Sequence, residues 1–480
     1  MIGPHASAVS LCKILHIDYW SRGVEYCARR MAAIFVAKKE ISVSAGRGKT
    51  MHREIVRSCW LAALLAILLC NSSALAAGPL YRVLYRFQNS PDGSQPYAGL
   101  VMDTAGNLYG TTYRGGTEGT VFQLTRGSNG VWTESVLFDF SNPRVSGGFP
   151  LGGVTLDTAG NLYGTAGPGA FNHGVVFQLT PNSSGFWNVS VLHTFNGNAD
   201  GMQPRAGVIF DKAGNLYGTT PVSGPIGGSC GTVFQLTPSN GVWHENILHV
   251  FTCKKDGWFP SANLVFDKAG NLYGTTEWGG VGCGDIGCGT VFKLTPAHGV
   301  WNKTTIHAFK GGSDGNQPTS TLVFDKVGNL YGATSIGGVG PCTIEGGTGC
   351  GTVFKLTPRH TGGWKKTVIY SPDGSTGGGV FGGVVFDKAG NLYGTTAFYG
   401  IVGPDCAGGC GSVFKLTRGT GGVWRETTLY EFHGTHDGGE PFDSLVLDNA
   451  GNIYGTTQYG GSSIGTCQAL GCGVVFEIQP

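Results

Sequence analysis

Three histidines, His193, His249 and His307, return at similar intervals along the chain, and Asp92, Asp200, Asp256, Asp314 and Asp437 each open a D-G-x-x-P stretch. Imidazoles and carboxylates in such numbers could ligate a metal ion or relay protons. Ten cysteines between Cys230 and Cys472 could hold zinc. Seven further aspartates, Asp103, Asp157, Asp211, Asp267, Asp325, Asp387 and Asp448, head near-identical decapeptides of the form DKAGNLYGTT.

Aligning the repeats weakens each of these chemical readings. The histidine position is filled by Tyr85, Phe138, Tyr370 and Tyr430 in the other units, which makes it an aromatic packing slot. Asp-Gly is a turn first, and lone carboxylates seldom suffice for calcium. The cysteines pair by position: Cys283 with Cys288, Cys342 with Cys350, Cys406 with Cys410, and Cys467 with Cys472, while Cys230 is left to meet Cys253. Their gaps are irregular, whereas zinc sites favour C-x2-C, so five disulfides are expected and no metal. No H-E-x-x-H and no carboxylate pair stands outside the repeat pattern. No catalytic residue and no cofactor is assigned.

The elements that would carry these residues follow from the repeat. The decapeptides start 54, 54, 56, 58, 62 and 61 residues apart. Each unit holds four stretches rich in Val, Phe, Tyr, Leu and Thr, such as NLVFD, NLYGTT, GTVFKLT and WNKTTIHAF around Asp267. The decapeptide reads as the first hairpin. Its Asp closes an Asx turn, its Gly supplies positive φ, and its Asn opens the second strand. A Trp precedes the fourth strand at Trp132, Trp187, Trp243, Trp301, Trp364 and Trp424.

Seven four-stranded units predict an all-β, seven-bladed β-propeller, with a β-solenoid as the rival. The last unit stops at GVVFEIQP, its third strand, while YRVLYRF (81–87) carries fourth-strand chemistry ahead of the first unit. One spare and one missing fourth strand fit a ring closed by pairing the two. The D-x-A-G-N-L-Y-G-T-T and G-T-V-F-x-L-T phrases resemble the GloVer tandem repeat of exported bacterial proteins over roughly residues 80–480. That resemblance implies export and brings no reaction or catalytic residue; likeness to NHL-type and gluconolactonase-like propellers is weaker.

Residues 51–77 read as a secretory signal: basic MHREIVR, apolar WLAALLAILL, then SSALAAG with cleavage after Ala76 or Ala77. The apolar run is too short to span a bilayer, and bulky Leu69 argues against a lipoprotein cysteine at Cys70. Residues 1–50 are an over-extended start with Met51 as initiator, or a disordered leader. Residues 1–77 hold ten Lys/Arg and four Asp/Glu, so their removal takes the formal charge from +2 to about −4. No basic face for nucleic acid is present.

The loops between strands two and three vary most in length, and function is expected on that face, which they share with the blade-to-blade crossovers. Tyr113, Trp278, Phe398, Tyr399 and Tyr459 stand on these loops and Trp258 on a crossover, with Arg114, Glu118, Lys254, Lys255 and Glu277 nearby. Exposed rings among polar groups suit a sugar or an extended peptide, although they can equally cover loop backbone. The resulting expectation is a secreted, periplasmic or cell-surface, monomeric, non-catalytic binding module for polysaccharide, cell-envelope material or another exported protein. The alternatives are a hydrolase or lyase at the channel mouth and a purely structural envelope protein.

Overall fold

The computed structural model describes residues 78–480 except 117, 141–146, 169–172, 198–199, 223–229, 345–346, 462–466 and 468–469. The expected leader 1–50 and signal 51–77 lie outside the described residues. Seven antiparallel four-stranded sheets follow one another as blades. Blade 4 is typical, with strands Val265–Phe266, Leu272–Thr276, Thr290–Ala297 and Val300–Ala308 in sequential order. In blade 7 the order is Val446–Leu447, Ile453–Thr457, Val474–Gln479 and then Leu80–Arg86. The first strand of the propeller therefore supplies the last strand of its last blade, as expected from YRVLYRF. No α-helix occurs among the described residues.

Most letters of the decapeptide have a structural task. Asp267 Oδ1 accepts the backbone N–H groups of Ala269 and Asn271 (2.9 Å each), and its Oδ2 accepts the Asn271 amide (2.7 Å) and the Tyr273 hydroxyl (3.0 Å). Gly270 sits at φ 83°, where a Cβ is strained. A Cβ on Gly274 would lie 2.6 Å from the Phe292 ring, so the second glycine lets the strand-three Phe pack against strand two. Thr276 and Thr290 share a hydroxyl hydrogen bond (2.8 Å), and Thr275 donates to the Ser320 carbonyl (3.4 Å) of the crossover into the next blade.

The core lies between blades. Tyr273, Val291 and Phe309 of blade 4 pack with Leu322, Leu330 and Phe354 of blade 5. Tyr273 also meets Trp364, the Trp that opens the fourth strand of blade 5, at 6.1 Å between ring centres. Every pairing of strands three and four carries a register shift, in blade 4 between Val291 and Phe292. The extra residue, Ile306 there, packs into the core cluster, and the shift re-aims the following slot residue, His307.

Candidate functional site

The five expected cysteine pairs are disulfides. Cys230 is bonded to Cys253, Cys283 to Cys288, Cys342 to Cys350, Cys406 to Cys410 and Cys467 to Cys472, with Cα–Cα distances of 5.2, 5.3, 4.9, 5.1 and 5.3 Å in that order. They occupy the same face as the crossovers. Cys288, Cys350 and Cys410 are fully buried and pack in apolar clusters, Cys288 with Phe309, Cys350 with Ile336 and Cys410 with Phe432. The sulfurs therefore anchor the loops from beneath, as part of the core.

On that face each crossover bridges to the end of strand two, as in Trp258 with Trp278 and Gly378 with Phe398. The bridges deliver one residue per blade to the centre of the ring, the one that follows the crossover proline: Tyr97, Leu151, Arg205, Ser261, Thr319 and Phe442, with Phe381 at the equivalent place after Val380. These seven side chains, with Glu277, Asn263 and Asp443, surround a cavity of about 230 Å³.

A larger cleft of about 740 Å³ opens beside it and shares Glu277, Phe381 and Phe442. Its other walls are Trp278, Gln317, Thr343, Ile344, Phe398, Tyr399 and Gly408. Phe381, Phe398 and Phe442 form a mutual cluster with ring centres 5.2 to 5.7 Å apart, and Tyr97 stacks on Phe442 at 4.9 Å. The Tyr399 hydroxyl donates to the Thr343 carbonyl (2.9 Å), pinning the blade 6 loop to the small blade 5 hairpin that pairs Thr343–Ile344 with Gly347–Thr348.

Burial pushes the Glu277 carboxyl up to about 7, against the pull of the Arg205 charge. Burial also raises the Asp443 carboxyl, although the N–H groups of Ser444 and Gly99 donate to it (2.6 Å each). The cavity thus holds one carboxyl, that of Glu277, poised to gain or release a proton near neutrality.

Of the six aromatics picked from the sequence, Trp278, Phe398 and Tyr399 line this cleft, and Trp258 packs edge-on to Trp278 at 5.0 Å. Tyr113 and Tyr459 do not line it. Tyr113 rests on Phe149 (5.6 Å), and the Tyr459 hydroxyl accepts from Gln458 Nε2 (3.1 Å). All six are half-buried and not freely exposed, because each ring lies on neighbouring loop. Arg205, Phe381 and Phe442 were missed, although the position after the crossover proline carries six different residue types in the seven units.

The aromatic slot has a second role that ring packing alone does not explain. His249 packs edge-on to Phe251 (4.8 Å), and His249 Nε2 also lies 3.1 Å from Asp256 Oδ2 on the following crossover. The same seven-residue step joins His193 to Asp200 (3.2 Å), His307 to Asp314 (3.1 Å), and the hydroxyls of Tyr85 and Tyr430 to Asp92 and Asp437 (2.7 Å each). Two seams add a lysine from the next blade: Lys303 Nζ donates to Asp256 Oδ1 (2.8 Å) and Lys366 Nζ to Asp314 Oδ1 (2.9 Å). Burial opposes ionisation of these two aspartates, but the hydrogen bonds from His249 with Lys303, and from His307 with Lys366, hold them well below the usual carboxylate range.

A sequence profile described as the Gloeobacter/Verrucomicrobia repeat matches residues 73–189 and 167–346. No curated protein matches the chain. Among solved structures, a fungal alcohol oxidase of the AA5 family in complex with copper is 14% identical with a TM-score of 0.50, covering 84% of this chain and 76% of its own. A proposed 6-phosphogluconolactonase of Bacteroides uniformis is 14% identical (TM-score 0.45; 71% and 86% covered). A protein of unknown function from Dyadobacter fermentans is 12% identical (TM-score 0.42; 84% and 100% covered). At 14% identity the likeness to the alcohol oxidase is one of fold alone.

Proposed function

The chain belongs to the Gloeobacter/Verrucomicrobia repeat family, and from that premise we propose that it is an exported, non-catalytic binding module that takes a carbohydrate at its channel mouth. The observation that carries this reading is the 740 Å³ cleft, in which Trp278, Phe398, Tyr399, Phe381 and Phe442 face Glu277 and Gln317. Sugar rings offer apolar C–H faces bordered by hydroxyls, and aromatic walls with a few polar groups match both. The aromatic walls come from three different blades, a shape suited to an extended chain of sugars.

A glycan array followed by titration calorimetry on the best hit tests it. Trp278→Ala and Phe398→Ala should each weaken binding about tenfold, the loss expected for an aromatic anchor worth about 1–2 kcal/mol. Tyr113→Ala, outside the cleft, should change nothing. Saturable glycan binding that survives both cleft substitutions sinks the proposal. Export rests on the five disulfides and the 51–77 pattern. Intact mass spectrometry of secreted protein should find a chain starting near Ala77 that gains about ten mass units on reduction, two per disulfide.

One observation favours a second reading, a hydrolase or lyase at the same mouth: a Glu277 carboxyl near 7 beside Arg205 has the poise of a general acid. Under that reading Glu277→Gln abolishes product release from a bound glycan while leaving its affinity within a few fold. Under the binding-module reading no product forms from any bound glycan, with or without Glu277.

A further inference from the structure

At each of two seams a cation holds the crossover aspartate. Lys303 of blade 4 reaches back to Asp256, and Lys366 of blade 5 to Asp314, and each ammonium donates to both the carboxylate and the main-chain carbonyl of its aspartate. The equivalent residue at the seam between blades 2 and 3 is Glu245. There Asp200, 5% exposed, faces a second carboxylate where its counterparts face an ammonium. Glu245 Oε1 is sealed from solvent and receives no hydrogen bond. A buried acceptor left without a donor beside another carboxylate is costly unless a positive charge joins the pair.

The third member of the group is a nitrogen ligand. His193 Nε2 lies 3.2 Å from Asp200 Oδ2 and 3.6 Å from Glu245 Oε1, and the three atoms all fall within 4.8 Å of one another. Ligands bound tetrahedrally at about 2.0–2.1 Å stand about 3.3 Å apart, so the spacing already approximates three corners of a zinc-sized coordination sphere. One imidazole and two carboxylates are a donor set for first-row divalent ions, with water to fill the remaining position. The seam between blades 7 and 1 repeats the two carboxylates, Asp92 and Glu134, but offers the Tyr85 hydroxyl in place of an imidazole.

We propose that His193, Asp200 and Glu245 bind one divalent transition-metal ion of the zinc or manganese class, which staples blade 2 to blade 3 as the lysines staple the two seams that follow. The staple lies on outer strands, Trp187–Thr194 and Val242–Val250, and on the crossover between them, away from the central cleft. It is independent of what the cleft binds.

The test uses the untagged mature chain, stripped with EDTA and titrated calorimetrically with Zn2+ and with Mn2+. Wild type should bind one equivalent of at least one ion, and the ion should raise its melting temperature. His193→Tyr copies the slot residue of Tyr85 and Tyr430, and Glu245→Lys copies Lys303. Each should weaken that site by at least about tenfold, since loss of an outer-shell partner alone costs roughly 10–100-fold. Glu245→Lys should also melt no lower than metal-free wild type, because the new ammonium can reach Asp200. That separates loss of a ligand from loss of fold. A wild type with no saturable site, or a site that survives both substitutions, overturns the proposal. Absence of the site together with a Glu245→Gln variant at least as stable as wild type would overturn it too, and would assign the seam to a shared proton.

Discussion

At the scale of the residue, the repeated aspartate is held on both carboxylate oxygens by its own hairpin. Asp267 accepts four hydrogen bonds, one of them from the Asn271 side-chain amide. Asp267→Asn puts an NH2 group where a carboxylate oxygen accepted, so either the Asn271 amide and the Tyr273 hydroxyl, which share Oδ2, or the two backbone N–H groups, which share Oδ1, lose their acceptor. The loss of a charged acceptor should cost about 2 kcal/mol, visible as a lower melting temperature at pH 7. The difference should fade in acid. Burial tends to raise the carboxyls of Asp103, Asp157, Asp211, Asp267, Asp325 and Asp387, but their amide, N–H and hydroxyl donors outweigh it and hold them below the ordinary 3.8. A depressed folded value stabilises above the unfolded value and is lost as pH falls through the folded one. Wild type and Asp267→Asn should therefore converge below about pH 3.8, in melts run from pH 7 downward. The Asx turn and the positive-φ glycine were legible in DKAGNLYGTT because they are local. The Tyr hydroxyl and the Asn amide were not, since both need the strand-two backbone to bring them back over the turn.

At the scale of the element, the seams show what alignment could and could not give. Alignment identified the slot of His193, His249, His307, Tyr85 and Tyr430 as aromatic, and each ring does pack in the core layer. Its hydrogen bond to the aspartate seven residues on depends on the strand-four register shift, which no period in the sequence announces. The offset itself was visible: Phe138, with no donor, is followed at that step by Val145, and Tyr370 by Gly377. Seam charge gives a pH prediction at Glu134. Burial, and then the charge of Asp92, push its carboxyl up to about 7. A raised folded value stabilises fully below the unfolded 4.5 and is lost as pH climbs through 7. Glu134→Gln should match wild type at pH 4 and exceed it at pH 8.5. The gain is on the order of 1 kcal/mol once the group's partial exposure is discounted. Melts that stay parallel at both pH values would show that Asp92 and Glu134 do not repel.

At the scale of the whole molecule, the ring depends on one strand from the far end of the chain. Leu80–Arg86 pairs with Val474–Gln479 at six register positions, and Tyr81 stacks on Tyr430 at 3.8 Å while its hydroxyl donates to the Asp437 carbonyl. Just beyond, fully buried Phe87 packs edge-on to Phe122 of blade 1 at 5.1 Å. The strand thus completes blade 7 and also supplies part of the core between blades 7 and 1. This closure was legible because strand chemistry could be counted: one fourth strand too many at one end, one too few at the other. The central cleft was only half legible, because its walls come from blades that sequence places far apart. Removing residues 79–88 should leave Val474–Gln479 as a bare, apolar sheet edge, which invites pairing with a second chain. The truncated protein should melt well below wild type and elute as larger species than wild type, and a synthetic 79–88 peptide added in trans should restore the wild-type elution volume and raise the melting temperature. Tyr81→Ala, which keeps the backbone pairing but deletes the ring, should cost about 3 kcal/mol and leave the elution volume that of wild type. If the truncated chain instead elutes and melts with wild type, the contacts between neighbouring blades alone hold the ring, and the strand-edge pairing adds nothing to them.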